Sequence, residues 1–310
     1  MYRSPVHWTS ADFWRGRRVL VTGASGFIGT QVVDLLVAAG AKVYATGHTQ
    51  LPTSGDERAR AALPDEADRI VQWAHAEVVF HLAAPILLEA DAAESVLDAG
   101  IVSATSALLS AVKGTRARVV CVGSCAEYGS APAPYRETIS PSPRSAYGRA
   151  KLVASTLALA AGHTVVRPFR ALGAGDTRSV VAAAAQAALS GQSFEMTTGE
   201  QVREWNHVQA IARGIVAAGA HGDAVGQVVN VGGGETASVR SVVEQVFTLA
   251  GADHRTLQIG ARAQRPGEVP LLSGDHRRAR ALWGEIPQPS LTETLSEAVH
   301  WMRLQQDGAA

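Results

Sequence analysis

Residues 17–29 read RRVLVTGASGFIG, and this stretch decides the fold class. Its first six residues form a short apolar run before a glycine, which is typical of a buried strand. Residues 30–39 then have helical periodicity, and Gly40 is expected to end the helix. Residues 42–46 read as a second strand. A strand, a glycine turn, a helix and a strand within about 30 residues are the context that a dinucleotide-binding fingerprint requires.

The glycines of this turn have separate roles. Gly23 allows the tight turn, Gly26 lets backbone N–H groups approach a pyrophosphate, and Gly29 lets the helix pack closely on the sheet. The N-terminus of the helix supplies positive potential for the phosphates. The residues expected to bind the cofactor here are Gly23, Ser25, Gly26, Phe27, Ile28 and Gly29.

The end of the second strand bears on the choice between NAD and NADP. An acidic side chain there binds the ribose 2′-hydroxyl and repels a 2′-phosphate. This chain has Gly47 and His48 between two threonines, with no carboxylate. These residues favour NADP(H) as the cofactor, with NAD(H) as the alternative if the adenosine end is loosely held.

Further strands are expected in the first half of the chain. Residues 77–84 read EVVFHLAA, residues 118–123 read RVVCVG and residues 163–167 read HTVVR, and an Ala/Leu/Val-rich helix is expected within 92–112. Strands that alternate with helices predict an α/β fold with a doubly wound parallel sheet. Ligands of such sheets lie at the carboxyl ends of the strands. The residues expected at that edge are Gly23, Ala83, Ser124 and Pro168.

Some side chains near that edge are given separate roles. The small residues that end the 77–84 stretch would let a cofactor lie against it, so Leu82, Ala83 and Ala84 are predicted to bind the cofactor. His81 is expected to be a packed strand residue rather than a catalyst.

Tyr147 and Lys151 are four residues apart, so on a helix they lie one turn from each other on the same face. An ammonium group beside a phenol favours the phenolate form and brings it toward the range where it can move a proton. The pair is therefore a candidate acid/base for interconversion of an alcohol and a ketone. A packed tyrosine and a solvated lysine are the structural alternative.

Composition narrows the function classes. The chain has 310 residues, 18% of them charged, and no formal net charge, which argues against nucleic acid as a partner. No apolar run approaches the ~20 residues of a membrane span, and the N-terminal residues lack the apolar core of a signal peptide. Cys121 and Cys125 fit no metal pattern. We expect a cytoplasmic protein without a metal site.

The pattern becomes less regular after Gly173. We expect residues 1–172 to form the dinucleotide-binding domain and residues 173–310 a smaller substrate-binding lobe, with some segments crossing back. Arg203 and Arg265 are placed in loops, where they would be solvated or would bind a substrate phosphate. Residues 235–239 are expected to open a helix, with Thr236 or Ser238 as its N-cap.

Taken together, the chain resembles the extended short-chain dehydrogenase/reductases, and within them the sugar-nucleotide epimerase/dehydratase/reductase family. The resemblance runs from about residue 17 to 303 and depends on six motifs in this order and spacing. The motifs are VTGASGFIG at 21–29, HLAA at 81–84, Ser124 five residues before Gly129, Tyr147 with Lys151, RPF at 167–169 and RPGE at 265–268.

The resemblance implies roles for these residues. Tyr147 would be the general acid/base, Lys151 would hold the nicotinamide ribose, and Ser124 would hydrogen-bond the reacting sugar oxygen. Family members are often dimers that pair through helices such as the one carrying Tyr147. The residues that would contact the nucleoside-diphosphate sugar are Cys125, Ala126, Arg170, Arg203, Arg265 and Glu268.

Three departures from the family pattern refine this expectation. Family 4,6-dehydratases carry acidic residues directly after the serine or threonine, where this chain has Cys125 and Ala126; Glu127 stands one position too late. The acidic position of NAD-using epimerases is Gly47. Arg170 replaces the usual asparagine, and it would contact a phosphate or an unusual sugar, or point to solvent.

These departures favour an NADP(H)-dependent reductase of a nucleotide-activated 4-keto-6-deoxy sugar. An NAD(P)-dependent nucleotide-sugar epimerase is the first alternative, and a non-catalytic nucleotide-binding protein is the second.

Overall fold

The structure is a computed structural model that describes residues 11–85, 94–264 and 268–307. The strands are β1 (Arg18–Thr22), β2 (Lys42–Gly47), β3 (Glu57–Arg60), β4 (Val78–His81), β5 (Arg118–Val122), β6 (Thr164–Pro168), β7 (Ala171–Leu172), β8 (Phe194–Met196), β9 (Val202–His207), β10 (Val228–Val231), β11 (Glu235–Ser238), β12 (Leu257–Ile259) and β13 (Leu271–Leu272). The α-helices are α1 (Ala11–Trp14), α2 (Phe27–Ala38), α3 (Ala67–Ala74), α4 (Glu94–Leu97), α5 (Ala104–Val112), α6 (Ala146–Ala160), α7 (Val180–Leu189), α8 (Val208–Ala220), α9 (Val239–Ala250), α10 (Arg277–Trp283) and α11 (Leu291–Asp307). A π-helical segment, Asp98–Ser103, joins α4 to α5.

The large sheet has seven strands in the order β10-β6-β5-β4-β1-β2-β3, and every neighbouring pair is parallel. The strand order reverses direction between β1 and β4, which is the switch point where open α/β sheets bind ligands. The predicted doubly wound parallel sheet is therefore confirmed.

Helices cover both faces of this sheet because its central strands are apolar on both sides. Val19 and Val21 pack in one core cluster with residues of α2 and α8. Leu20 points to the opposite face and packs with residues of α3 and α5. The apolar run in β1 is therefore that of a strand buried on both faces rather than an alternating one.

A smaller lobe is built around β9, which pairs with β7, β11 and β13. Its core includes Trp205, Phe247 and Leu295 and lies between α7, α9 and α11. The second half of the chain also returns to the large sheet. Strand β10 pairs with β6, and Ile211, Ile215 and Trp283 lie in the core cluster of the large sheet.

Three elements differ from the sequence-based expectations. Strand β3 is not among the strands expected from the sequence, because its residues, ERAR, are charged and form the edge of the sheet. Arg203 lies on the buried strand β9 rather than in a loop. Residues Glu235–Ser238 form a strand, and α9 begins only after Ser238, whose side chain caps it by accepting from the Ser241 N–H at 3.0 Å.

The continuous helical stretch Glu94–Val112 is long and apolar enough to cross a membrane by length and composition. The expectation that no segment approaches that length was too strict. In the fold, Leu97, Ile101 and Leu108 of this stretch are buried in core clusters. Part of this stretch therefore lies in the interior of the protein, while Val96 is exposed.

Candidate active site

The predicted site residues gather at one edge of the large sheet. Thr22 is level with His81, and His81 is level with Cys121, so β1, β4 and β5 end together. Gly23 directly follows β1, and Ala83 and Ser124 stand two residues after the ends of β4 and β5. Pro168 ends the neighbouring strand β6 at the same edge.

Ser124 begins a single 3₁₀ turn, Cys125–Glu127, after β5. Its Oγ accepts a hydrogen bond from the Ala126 N–H at 3.1 Å, and its own N–H donates to Glu127 Oε1 at 2.8 Å. This reciprocal cap fixes the serine backbone. The hydroxyl can still donate its own proton to a substrate oxygen.

Glu127 is fully buried, and it connects this turn to its surroundings through three hydrogen bonds. Besides the Ser124 N–H, its carboxylate accepts from Ser155 Oγ at 2.9 Å and from Arg167 Nε at 2.7 Å. Gly123 leaves space for it, since a Cβ there would lie 2.3 Å from Glu127 Oε1. The carboxylate is saturated by internal partners, so it does not replace the dehydratase acids.

Tyr147 lies in the first turn of α6, which is capped by Ser145 Oγ accepting from the Gly148 N–H at 3.0 Å. The ring is half-buried and packs against a small cluster that includes Leu97 and Ile101. A Cβ at Gly148 would lie 2.6 Å from Ala126 O. Glycine at this position therefore lets the helix that carries the phenol approach the Ser124 turn.

Lys151 is buried one turn further along α6. Its Nζ lies 6.0 Å from the centre of the Tyr147 ring and donates to Val122 O, the last residue of β5, at 2.8 Å. One of the three ammonium protons is thus fixed by the sheet, which leaves two for ribose hydroxyls or the phenol oxygen.

The glycine turn after β1 forms a cradle that fits a dinucleotide. Gly23 has a φ of +70°, and a Cβ there would lie 2.6 Å from Ala83 N, so the turn lies directly on the end of β4. A Cβ at Gly29 would lie 2.1 Å from Gly23 O. Gly26 is the N-cap of helix α2 and offers no side-chain cap, so the first N–H groups of the helix are open to an anion such as a pyrophosphate.

The other predicted residues of this turn have different surroundings. Phe27 lies close to Gly175, whose Cβ would approach the ring to 3.6 Å, while Ile28 packs on the main core. Leu82 also packs on the main core, and Ala84 packs in the cluster that holds Tyr147.

At the end of β2, Gly47 has no room for a side chain. A Cβ there would lie 2.2 Å from Gln50 O and 2.7 Å from Ser25 Oγ. His48 is exposed beside it. Arg60, level with Gly47 on β3, is also exposed, and its guanidinium makes no hydrogen bond or ion pair within the described part of the chain.

His81 is buried in the sheet, as expected for a packed strand residue. Its Nδ1 lies 2.8 Å from Thr22 Oγ1 and its Nε2 lies 3.1 Å from Thr105 Oγ1. Burial, assisted by the charge of Lys151, lowers the pKa of His81 to about 3. The imidazole is therefore neutral and links β1, β4 and α5.

On the substrate side, the structure gives Arg203 internal partners. Arg203, expected to hold a diphosphate, is buried, and its Nη1 donates to Val202 O and Val269 O. Its Nη2 donates to Glu268 Oε1 at 3.0 Å. Arg203 is thus engaged by Glu268 and by two backbone carbonyls, since β9 lies inside the smaller lobe. Arg265 lies outside the described residues.

Arg170 and Cys125 lie together between the two lobes. Burial raises the pKa of the Cys125 thiol to about 11, with the charge of Arg170 opposing the shift. The thiol is therefore protonated and packs beside Tyr128, Tyr135 and Phe169. Ala126 is half-buried in the 3₁₀ turn. Among the described residues, no group of three histidine, cysteine or acidic side chains is arranged to hold a metal ion.

Sequence reasoning missed three contributors to this site: the buried Glu127–Arg167 pair, Gly148 and Arg60. The pair was undetectable because it joins residues 40 positions apart. Gly148 lies between Tyr147 and Lys151 in the sequence, and a glycine inside a helix signals a close approach. Arg60 was not identified because the edge strand that carries it, β3, was not expected from the sequence.

Comparison with known proteins agrees with this geometry. A family model described as the NAD dependent epimerase/dehydratase family matches residues 19–232. The GDP-6-deoxy-D-mannose reductase of Pseudomonas aeruginosa is 28% identical, covering 90% of this chain and 95% of its own length. The UDP-glucose 4-epimerase of Mycolicibacterium smegmatis is also 28% identical, covering 92% of this chain and 98% of its own length.

Among solved structures, MoeE5 in complex with UDP-glucuronic acid and NAD superposes with a TM-score of 0.85 at 30% identity, covering 93% of this chain and 99% of that one. The family match covers more than half of the chain and includes both the glycine turn and the Tyr147/Lys151 pair. The chain therefore belongs to the NAD-dependent epimerase/dehydratase family and is an enzyme of the extended short-chain dehydrogenase/reductase type.

Proposed function

We propose that this protein is an NADP(H)-dependent reductase of a nucleotide-activated 4-keto-6-deoxy sugar. The observation that carries the proposal is the internal saturation of Glu127 by Arg167, Ser155 and the Ser124 N–H. With Cys125 and Ala126 beside it, the turn offers no free carboxylate for eliminating water. Ser124, Tyr147 and Lys151 remain, and these suffice for moving one proton and one hydride at a single C–O bond.

A bound nicotinamide cofactor supplies the hydride. In the proposed reaction, Tyr147 donates its phenolic proton to the ketone oxygen, and Ser124 Oγ donates a hydrogen bond to that oxygen. Lys151, held on Val122 O, places a positive charge near the phenol and offers its other protons to the cofactor ribose. The residues that would hold the pyrophosphate are the backbone N–H groups at the start of α2.

The preference for a 2′-phosphate has support at the end of β2. Gly47 has no space for a ribose-binding carboxylate, because Ser25 Oγ and Gln50 O occupy the Cβ direction. Arg60 on the adjacent strand is level with Gly47 and has no internal partner among the described residues. A free guanidinium beside the ribose would attract the extra phosphate. NAD(H) is the alternative, and MoeE5 is a relative solved with NAD.

Turnover with defined substrates tests the reaction. We expect NADPH to be oxidised when the protein is mixed with a nucleoside-diphosphate 4-keto-6-deoxy hexose, and a panel of GDP-, UDP- and dTDP-linked keto sugars would identify the base. If sugar nucleotides are instead interconverted without net consumption of cofactor, the epimerase is correct. Two relatives in the family, the P. aeruginosa reductase and the M. smegmatis epimerase, carry these two activities in their names.

We also propose a cytoplasmic homodimer with no nucleic-acid or membrane partner. Val96 on α4 and Val153 on α6 are exposed at 49% and 46%, on helices that contact each other. Exposed apolar side chains on two packed helices suit a helix–helix interface. Light scattering after gel filtration should give twice the 32.4 kDa chain mass, and Val153→Glu should shift it to one chain. A wild-type protein that elutes as a single chain would refute the dimer.

A further inference from the structure

The N-terminal edge of the large sheet, opposite the candidate active site, carries a cluster of cations. Arg17 precedes β1, Arg18 begins it, Lys42 begins β2 and Arg118 begins β5. Because β1 has five residues, the cluster lies about 13 Å along that strand from the glycine turn at the other edge. A ligand of these cations would therefore be separate from a dinucleotide on the glycine turn.

Two of these cations share one aromatic ring. The guanidinium carbon of Arg17 lies 4.1 Å from the centre of the Phe13 ring, and that of Arg118 lies 5.3 Å from it. Arg17 Nε also donates to Phe13 O at 2.6 Å, which fixes this side chain on α1. Phe13 is half-buried, so both guanidinium groups are held against an apolar surface.

Only one of the two guanidinium groups has a counter-charge. Arg17 Nη1 donates to Glu77 Oε2, whereas the guanidinium of Arg118 makes no hydrogen bond or ion pair within residues 11–85, 94–264 and 268–307. Burial lowers the pKa of Arg118, the nearby charge of Arg17 lowers it further, and the charge of Glu77 opposes both effects. Two like charges this close repel each other, and a bound anion would relieve the repulsion.

Further positive charge surrounds this pair. The Arg18 guanidinium carbon and Lys42 Nζ lie 4.5 and 5.8 Å from the centre of the Tyr44 ring. Lys113 and Arg116 are exposed in the turn that leads into β5. The chain as a whole has no formal net charge, so these cations are a local concentration. Such a surface attracts multivalent anions.

We propose that Arg17 and Arg118 form a binding site for a multivalent phosphate anion at the N-terminal edge of the large sheet. A guanidinium presents paired N–H donors that match phosphate oxygens, and two of them on one ring suit neighbouring phosphates of a chain. Inorganic pyrophosphate and tripolyphosphate have this chemistry, and so has the phosphate tail of a nucleotide. The inference does not depend on the reaction proposed above, because the site lies at the opposite edge of the sheet.

Calorimetric titration of the whole protein tests the site. The protein is first saturated with NADPH or NADH, whichever it binds more tightly, so that the glycine turn is occupied. Pyrophosphate, tripolyphosphate and ATP are then titrated at one ionic strength set with KCl. Arg118→Gln removes the guanidinium that lacks an internal partner, and Arg118→Lys restores a positive charge. Arg240→Gln is the matched control, because Arg240 is an exposed arginine of the smaller lobe that pairs with Glu244.

We expect Arg118→Gln to bind pyrophosphate about 10-fold or more weakly than wild type and the control, and Arg118→Lys to recover part of the lost affinity. Unchanged cofactor affinity and Trp14 fluorescence would report intact folds, since the Trp14 ring lies 4.8 Å from Phe13. Equal affinities for tripolyphosphate and ATP would identify the phosphate chain as the ligand, and tighter binding of ATP would identify a nucleotide. A wild-type protein that binds none of the three anions, or equal affinities in wild type and Arg118→Gln, would overturn the proposal.

Discussion

Arg167 Nε donates to Glu127 Oε2 at 2.7 Å, and both side chains are almost completely buried, at 3% and 0% exposure. The same carboxylate holds the backbone of Ser124. A structural ion pair inside the large sheet is thus connected by one hydrogen bond to a residue predicted to touch the substrate. The stability of the protein and the position of the Ser124 hydroxyl depend on the same carboxylate.

Glu127→Gln tests this connection. The change leaves Arg167 charged and buried without a counter-charge, which should lower the free energy of unfolding by about 3–5 kcal/mol. The matched control is Glu94→Gln in the exposed pair Arg149–Glu94, where the loss should stay within about 1 kcal/mol. Chemical denaturation of both variants gives the comparison. Equal losses of unfolding free energy in the two variants would show that the buried pair contributes no more to stability than the exposed pair.

Tyr147→Phe removes the proposed proton donor without disturbing the ring packing. We expect kcat to fall by roughly 10²- to 10⁴-fold while NADPH affinity stays within twofold of wild type. Tyr44→Phe is the control. Tyr44 lies on β2, away from the reacting edge, and is buried against Trp73 of α3, so this variant should retain full activity. Substantial turnover in Tyr147→Phe would assign the proton transfer to another group.

Gly148→Ala tests the approach of α6 to the Ser124 turn. The added Cβ would lie 2.6 Å from Ala126 O and 3.1 Å from Pro143 Cβ, so the two elements must separate. A displacement of about 1 Å at a catalytic group costs roughly 100-fold in rate, and kcat should fall by that order. Gly222→Ala, whose Cβ would meet no atom within 4 Å, should leave kcat unchanged. A wild-type kcat in Gly148→Ala would mean that the close approach is unimportant.

Arg60→Gln tests cofactor choice. If Arg60 contacts the 2′-phosphate, the variant should bind NADPH about 10-fold or more weakly, and its NADH affinity should not change. The control is Arg116→Gln, an exposed arginine that precedes β5 at the opposite edge of the sheet. Fluorescence titration with both cofactors measures the ratio. Parallel losses for NADPH and NADH would remove Arg60 from the 2′-phosphate site.

His81 should make the protein sensitive to acid. Its pKa is lowered to about 3 in the fold, whereas an unfolded histidine titrates near ~6.5, so the unfolded chain binds more protons between these values. The contribution of His81 to stability is therefore complete above pH ~6.5 and falls by about 1.4 kcal/mol per unit as the pH is lowered.

Urea denaturation at pH 7 and pH 5 measures this dependence. His81→Gln should lose less stability on acidification than wild type, although it is less stable at pH 7 because two buried hydroxyls lose a partner. His300→Gln, at an exposed histidine of α11, should behave like wild type. The same acid sensitivity in His81→Gln and wild type would exclude His81 as its source.

The sequence predicted five of the seven strands of the large sheet, because these are apolar runs soon followed by small residues, such as Gly23 after β1 and Ala83 after β4. The motifs led to the correct family. The prediction failed for β9, which carries the charged residues Arg203 and Glu204 buried inside the smaller lobe. A strand with buried charges has no apolar pattern by which the sequence could identify it. The ion pair between Arg203 and Glu268 joins positions 65 residues apart, so only the three-dimensional structure reveals it.

Strand β10 has a consequence for how this enzyme can be divided. Strand β10, Val228–Val231, pairs with β6 and forms the last strand of the large sheet. A fragment that stops at residue 172 would therefore leave β6 as an exposed edge strand with unpaired backbone groups. It would also lose the apolar cover that Ile211 and Trp283 provide. The halves of this chain are thus interwoven, and we expect that the first half cannot be cut out and studied alone.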